Sequence, residues 1–508
     1  MLKKTIILCA LLVFSFGQAH AADTIKRPDK EKLKKILSDF EEYAKKGMQD
    51  WQIPGMAIAI VQEDQVIYSQ AFGTKTAGKN EPVTTHTIFQ IGSTSKAFTS
   101  TLAAMLVDDG KIQWEDKVID HLPDFRMYDP WVTREFMFYD LFSQHSGMPP
   151  YAADGQASFG FDREHIIQSL RFIQPVSSFR AKFAYVNNLF LVAAKIIEKY
   201  TGKTWEDNLK SKIFQPLGMV ETTADVKSYV SAKDVATPHN IRQGKPATVP
   251  MDLDWNYIYG PAGGINSNVT DMAQWLKLHI NDGMFAKKQL VSAKNLNFTH
   301  SPKTIAMTDP HGRNIYYCLS WCYEEAEPYS MIWHNGGTTG CHTMLAFWPQ
   351  AKIGIVILTN LCPNELAESL ARYFGELYFG NPSRDWSKEE LDKAKKAKLE
   401  AEKEKPQLPA KVTPGLALDS YTGKYHNDIY EDLTVEKKDN SLVLTIGPRN
   451  TEFALKHWDR DNFILTYAEL GDDEAQTFVN FEVGEKGKAD KVTLELLNQD
   501  GCGVFVRK

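Results

Sequence analysis

Residues 387–405 read SKEELDKAKKAKLEAEKEK, and almost nothing in that run can enter a core. It consists of charged residues and alanine with two leucines, which predicts a solvated helix supported by pairs such as Glu389 with Lys393. PQLPAKVTPG follows, and its three prolines predict a stiff spacer. A chain interrupted in this way must build two separate cores, one on each side of a linker spanning 384–415. With 508 residues and a hydrophobic fraction of 43%, it has enough apolar material for both.

The two sides differ in pattern. Before the linker, KEKLKKILSDFEEYAKKGM places Leu33, Ile36, Leu37, Phe40 and Tyr43 at helical intervals. GMAIAIVQEDQVIYSQAFG holds two apolar runs around a polar break at Gln62 to Gln65, the pattern of a β-hairpin. Helical segments follow from Ser93 to Val107, stopping near Gly110, and in NLFLVAAKIIEKYTG and VTDMAQWLKLHI. HTMLAFWP and KIGIVILTN predict a second hairpin, and NELAESLARYFGELYFG a closing helix. The expected fold is α+β: an antiparallel sheet drawn from both ends of this region, flanked by helices, with a mostly helical lobe inserted. After the linker, short strand-like runs such as SLVLTIG, NFILTY and KVTLELL alternate with turn signals every eight to twelve residues. That spacing predicts a small all-β barrel or sandwich over 416–508.

The N-terminus, MLKKTIILCALLVFSFGQAHAAD, has a basic start, a short apolar stretch and a small-x-small site. It is expected to be a secretory signal peptide over residues 1–21, giving a periplasmic or secreted protein with 22–383 as its first domain. Its apolar core is too short to span a bilayer, and no later stretch is long enough, so the mature chain is expected to lack a transmembrane anchor. A net charge of -6 gives no electrostatic reason to expect nucleic acid or an anionic membrane as partner. Export permits disulfides among Cys318, Cys322, Cys341, Cys362 and Cys502. Five is odd, so at least one should be free or pair between chains. Cys318 and Cys322 lie four apart in a strand-like run, roughly 13 Å, too far for one bridge. A bridge from either to Cys341 stays open. The spacing fits no zinc pattern.

Three motifs carry chemistry. FQIGSTSKAFTST holds the chain's one Ser-x-x-Lys, Ser93 and Lys96. Three residues apart on a helix, they share a face. Ser93 would sit at the helix N-terminus, and burial beside Ala97, Phe98 and Leu102 would disfavour a charged lysine, leaving it able to take a proton. In FAYVNNLF, Tyr185 and Asn187 lie two apart before a helix, where an extended backbone points them the same way. In WHNGGTTG, Gly336 and Gly337 allow a backbone edge to approach a ligand. A backbone N–H there could pair with that of Ser93 as an oxyanion hole. His334 could face an anionic substrate group, charged only in part at neutral pH. Taken singly, each motif also suits an ordinary cap, core aromatic or turn.

The order Ser-x-x-Lys, Tyr-x-Asn, then a basic residue-x-Gly before a strand resembles the penicillin-recognising serine hydrolases, in the branch of class C β-lactamases and D-alanyl-D-alanine carboxypeptidases. DLFSQHSGMP, IFQPLGM and GPAGGINSNVTDMAQWL follow in family order, and the likeness covers about residues 30 to 380. The resemblance implies Ser93 as acylated nucleophile and Lys96 and Tyr185 as general base and acid. Asn187, His334, Asn335 and Gly336 would contact substrate, and the N–H groups of Ser93 and Gly337 would form the oxyanion hole. No cofactor and no metal enters this reading. His334 and Asn335 stand where the family's Lys-Thr-Gly has lysine and threonine, which shifts the expectation from β-lactams toward esters and peptides. The tail resembles a lipocalin-like β domain. The expected partner is a small-molecule or peptide substrate, an amide, peptide, ester or β-lactam hydrolysed through an acyl-enzyme on Ser93. The alternative is a penicillin-binding or sensing protein that acylates and turns over poorly, with the tail binding a ligand or partner. Oligomeric state is left open. No Gly-x-Ser-x-Gly and no His-Glu-x-x-His occurs, which disfavours α/β-hydrolase and zinc-peptidase chemistry.

Overall fold

The structure, a computed structural model, describes residues 27–308, 312, 314–326, 329–380, 382, 384–404, 408–467, 472–498 and 501–508. The expected signal peptide lies outside the described residues.

Helix α1 (Lys30–Asp50) is capped by Asp29, whose carboxylate accepts from the Lys32 N–H. The hairpin follows as β1 (Gly55–Gln62) and β2 (Gln65–Gly73). The central helix α2 (Ser95–Asp108) begins two residues after Ser93, which lies in a single 3₁₀ turn, Gly92–Thr94. Residues Ser95 to Val107 are all buried, so this helix has no solvent face. Apart from Thr101, whose buried Oγ1 has no partner, its polar side chains find partners inside the protein. Thr99 donates to the Pro261 carbonyl at 2.7 Å and accepts from Trp205 Nε1 at 3.0 Å. Phe98 stacks on Trp275 with ring centres 3.7 Å apart. Helices α3 (Asn188–Thr201) and α4 (Val269–Ile280) complete the main supports.

The C-terminal half of the region adds β3 (Thr304–Thr308), β4 (Asn314–Tyr317), β5 (Cys322–Glu324), β6 (Met331–Gly337), β7 (His342–Trp348) and β8 (Ile353–Thr359), then α5 (Leu366–Phe379). The eight strands form one antiparallel sheet in the order β2-β1-β8-β7-β6-β5-β4-β3. Strand side chains alternate between faces, and β1 is apolar and buried from Gly55 to Val61 because both its faces are covered. Met56, Ile58 and Ile60 pack with Phe40 of α1 and Phe374 of α5. Ala57, Ala59 and Val61 join the core of the helical lobe. The expected α+β architecture is present.

The charged run forms α6 (Trp386–Glu404). Its pairing differs from expectation: Lys393 meets Glu390 at 2.7 Å, while Glu389 lies 3.7 Å from Arg384. At its start, Ser387 Oγ accepts from Trp51 Nε1 at 3.0 Å, tying the helix to the end of α1. Eight further strands, β9 (Gly423–Asn427), β10 (Glu431–Lys438), β11 (Ser441–Ile446), β12 (Thr451–Asp459), β13 (Asn462–Tyr467), β14 (Asp472–Val483), β15 (Ala489–Leu494) and β16 (Val504–Arg507), close into an antiparallel barrel. Closure removes the exposed edges an open sheet would present. Tyr425, Leu433, Leu442, Leu444, Phe453 and Phe505 are buried in it. Its core is continuous with that of the helical lobe, so the two parts that the linker separates in sequence are packed together.

The bridge left open from Cys318 or Cys322 to Cys341 is absent: none of Cys318, Cys322, Cys341, Cys362 and Cys502 forms a disulfide. Among the described residues no helix is long and apolar enough to cross a membrane. Denatured protein alkylated without reductant should therefore gain one adduct at each of these five cysteines. Mass spectrometry with and without prior reduction checks this, and any adduct seen only after reduction counts against it.

Candidate active site

The 3₁₀ turn that carries Ser93 is pressed against the end of β6, and two glycines make that approach feasible. Gly92 has φ +51, and a Cβ on it would meet the Gly337 backbone nitrogen at 3.0 Å. A Cβ on Gly336 would lie 2.9 Å from the Ser93 nitrogen. Only residues without a side chain fit there, so the Ser93 and Gly337 backbones are neighbours. Ser93 itself stays partly open to solvent between the buried Gly92 and Thr94.

Lys96 is fully buried. Its Nζ contacts Ser93 Oγ at 3.1 Å, Asn187 Oδ1 at 2.7 Å and the Ala262 carbonyl at 2.8 Å. It sits 4.7 Å above the Tyr185 ring and 5.2 Å above that of Phe190. Burial lowers its pKa to about 7, although the charge of Asp154 opposes the shift. A substantial fraction is therefore a neutral amine near pH 7. Ala262 and Asn187 Oδ1 can only accept. A neutral Lys96 must give both its N–H groups to them, and its lone pair is left for the Ser93 hydroxyl.

The Asn187 orientation is fixed by its other end, since Nδ2 donates to Asp154 Oδ2 at 2.5 Å. Asn187 precedes α3 as expected, but its side chain makes no cap hydrogen bond. Tyr185 is held protonated: burial raises its pKa well above the usual 10, with the neighbouring Ser93 opposing slightly. Its hydroxyl is enclosed and has no hydrogen bond of normal length and angle.

His334, expected to be charged only in part at neutral pH, loses the remaining charge. Its Nδ1 lies 2.5 Å from the Asn335 carbonyl, so Nδ1 carries the proton and Nε2 accepts from the Tyr317 hydroxyl at 3.1 Å. Burial, with help from the nearby Lys96 charge, lowers its pKa to about 3. The ring is neutral across the physiological range. Alternation along β6 sends Asn335 to the opposite face, where Nδ2 donates to Glu368 Oε1 at 2.7 Å. Ser93, Lys96, Tyr185, Asn187, His334 and the Gly336–Gly337 backbone thus converge, and the Asn335 side chain does not. Asp154, Ala262 and Glu368 had no local signal in the sequence. They are found only by following the hydrogen bonds of Lys96, Asn187 and Asn335.

The serine-and-lysine turn and the glycine-rich strand end both lie within residues 40–377, which match the family model described as Beta-lactamase. The chain belongs to the Beta-lactamase family. Residues 407–501 match a second model, Domain of unknown function (DUF3471). The chain is 28% identical over 454 residues to the "Unguisins hydrolase ungD'" of Aspergillus campestris, covering 82% of this chain and 83% of that one. It is 27% identical over 319 residues to "Penicillin-binding protein 4" of Amycolatopsis lactamdurans, covering 61% and 81%. The fold matches an octameric penicillin-binding protein homologue from Pyrococcus abyssi, with a TM-score of 0.61 at 20% identity over 90% of this chain and 98% of that one.

Behind the strand, this β-lactamase-family chain holds a buried ion pair. His342 Nε2 lies 2.7 Å from Glu368 Oε1. Burial pushes the His342 pKa down, but the Glu368 charge outweighs it and the net shift is upward. Glu368 is lowered, because His342 overcomes the upward push of burial. The carboxylate's contribution to stability is present above its unfolded pKa of about 4.3 and is lost in more acidic solution. The imidazolium's is full below about 6.5 and is lost as pH rises through its raised folded pKa. Glu368→Gln should cost roughly 3–5 kcal/mol of unfolding free energy. The deficit should be largest between those two limits and shrink toward alkaline pH. Urea melts across that range measure it.

Proposed function

We propose that the protein is an exported serine hydrolase that forms an acyl-enzyme on Ser93. The observation that carries the reading is the Lys96 environment, in which two obligate acceptors leave the amine lone pair facing the Ser93 hydroxyl. In this reading Lys96 takes the Ser93 proton as Oγ attacks the substrate carbonyl carbon. The carbonyl oxygen becomes an oxyanion facing the N–H groups of Ser93 and Gly337, a type of contact worth roughly 10²–10³ in rate per donor. Tyr185, protonated at neutral pH, hands a proton to the departing group and is reprotonated from Lys96. Water then attacks the acyl carbon, its proton returns through the same groups, and Ser93 is released. Asn187 holds Lys96 and faces the substrate carbonyl group.

The substrate class follows from charge. A neutral His334 in the place of a fixed cation favours an uncharged acyl donor, an ester or internal amide, over one recognised by its carboxylate. The relative named for hydrolysing unguisins supports hydrolytic turnover. The hydrolase unit is read as 22–383, the linker as 384–415 and the barrel as 416–508, after a signal peptide over 1–21. The penicillin-binding relative keeps the second reading testable: a site that acylates with penicillin and deacylates slowly.

Ser93→Ala should abolish p-nitrophenyl acetate turnover and labelling by a fluorophosphonate, and unchanged turnover in that variant excludes the proposal. A stable penicillin adduct without ester turnover would favour the second reading, as intact-mass measurements after exposure would reveal. The rate of fluorophosphonate labelling should rise with pH through about 7, because Lys96 acts in its neutral form. A rate independent of pH from 5 to 9 would remove Lys96 from the base role.

A further inference from the structure

The barrel grips one segment of the hydrolase region, and that segment leads to Lys96. It runs from Tyr151 to Phe161. Tyr151 and Ala153 have φ +56 and +54, a left-handed conformation that non-glycine residues seldom adopt and that persists only where surroundings impose it. The segment is tied to the site from within: the Tyr151 N–H donates to the Tyr185 carbonyl at 2.7 Å, and Asn188 Nδ2 to the Ala152 carbonyl at 2.8 Å. Trp255 Nε1 donates to the Asp154 carbonyl at 3.0 Å. Asp154 then receives Asn187 Nδ2, which leaves Asn187 Oδ1 for Lys96. As a residue Asp154 is only half-buried, but its Oδ1 is enclosed and has no partner. Its hydrogen bond from Asn187 and its attraction to Lys96 offset that cost.

The barrel supplies the other side of the grip. A Cβ on Gly155 would lie 3.0 Å from Leu497 and 3.8 Å from the Tyr430 hydroxyl, and one on Gly447 would meet the Phe159 carbonyl at 2.5 Å. Phe159 packs edge-on to Phe453, and Phe161 to Tyr430. Arg449, in the turn between β11 and β12, donates its backbone N–H to the Phe159 carbonyl at 3.4 Å and pairs with Asp254. Asp254 lies beside Asp252, the carboxylate that receives Ser158 Oγ at 2.6 Å.

We propose that Asp154 is a positioning residue that fixes Asn187 and through it Lys96, and that the C-terminal barrel holds Asp154 in register. This assigns the barrel a role in setting the proton affinity of the active site. It rests on the serine-hydrolase reading above. The titratable groups around the Lys96–Asp154 pair are Tyr151 on the same segment, Tyr185 before α3, Tyr259 before α4, His334 on β6 and Tyr430 of the barrel. Burial keeps all four phenols protonated and His334 neutral. Burial also raises Asp154 to about 7, with Asn187 and Lys96 opposing. The acid limb of the pH profile therefore belongs to Lys96 and Asp154 together.

The test uses the full chain and fluorophosphonate labelling, followed by rate against pH. Asp154→Asn keeps an acceptor for Asn187 and removes the charge that raises the Lys96 pKa. The limb should move to lower pH by about one unit and become a single-proton limb, with KM for p-nitrophenyl acetate little changed. Arg449→Ala, at the exposed rim of the contact, should shift the limb in the same direction by less. It should add nothing in the Asp154→Asn background, since both act through one residue. A merely structural role would lower the melting temperature and leave the limb in place. An unmoved limb in Asp154→Asn overturns the assignment of Asp154. Equal effects of Arg449→Ala in both backgrounds, or none in the wild type, overturn the role of the barrel. If Asp154→Asn fails to fold, the Arg449→Ala limb alone decides: a shift supports the proposal and no shift overturns it. Wild-type protein that resists the probe and the ester alike overturns the serine-hydrolase reading itself, a result distinct from each of these.

Discussion

A lysine amine without water around it has few stable arrangements, and the hydrolase region is organised around one of them. Lys96 lies on a helix with no solvent face, so every proton on its Nζ needs an acceptor inside the protein. Three are provided by three separate parts of the chain: the turn before its own helix, the residue before α3, and the short helical turn Gly260–Gly263. Each could be misplaced only by moving an element that packs against α2. The surrounding helices thus fix the geometry of one amine, and the cost of burying it appears as a proton affinity shifted toward neutrality.

The same logic explains why the glycines at 92 and 336 matter more than their neighbours. They let two backbones meet where side chains would keep them apart. The close approach brings the Ser93 and Gly337 backbones together, next to the Ser93 hydroxyl that Lys96 Nζ meets at 3.1 Å. The rest of β6 is held by ordinary ladder pairing to β5 and β7, and from behind by the contact of Asn335 with Glu368.

Much of this was legible in the sequence, for reasons that can be named. The linker announced itself by composition, and β1, β7 and β8 by apolar runs bounded by turns. Ser93, Lys96, Tyr185 and Asn187 could be paired because their spacings are local and their order along the chain is specific. Asp154 was not legible. Its neighbours YAADG carry no periodic or motif signal, and its importance depends on contacts with Asn187 and a barrel some 270 residues later in sequence. The sequence reading left His334 partly charged at neutral pH; burial and Lys96 across the site remove the remaining charge, and neither is visible in a tripeptide. Export alone permitted bridges between the cysteines, but the structure holds none among them.

If the site works as proposed, a neutral imidazole at His334 also affects how an acyl donor would reach it. A fixed cation in that place would project a field into solvent and draw in anions from a distance, at a rate that salt would depress. His334 projects no such field, being uncharged and turned inward to Tyr317. Under the proposed function, capture would depend on fit after encounter, with little sensitivity to salt.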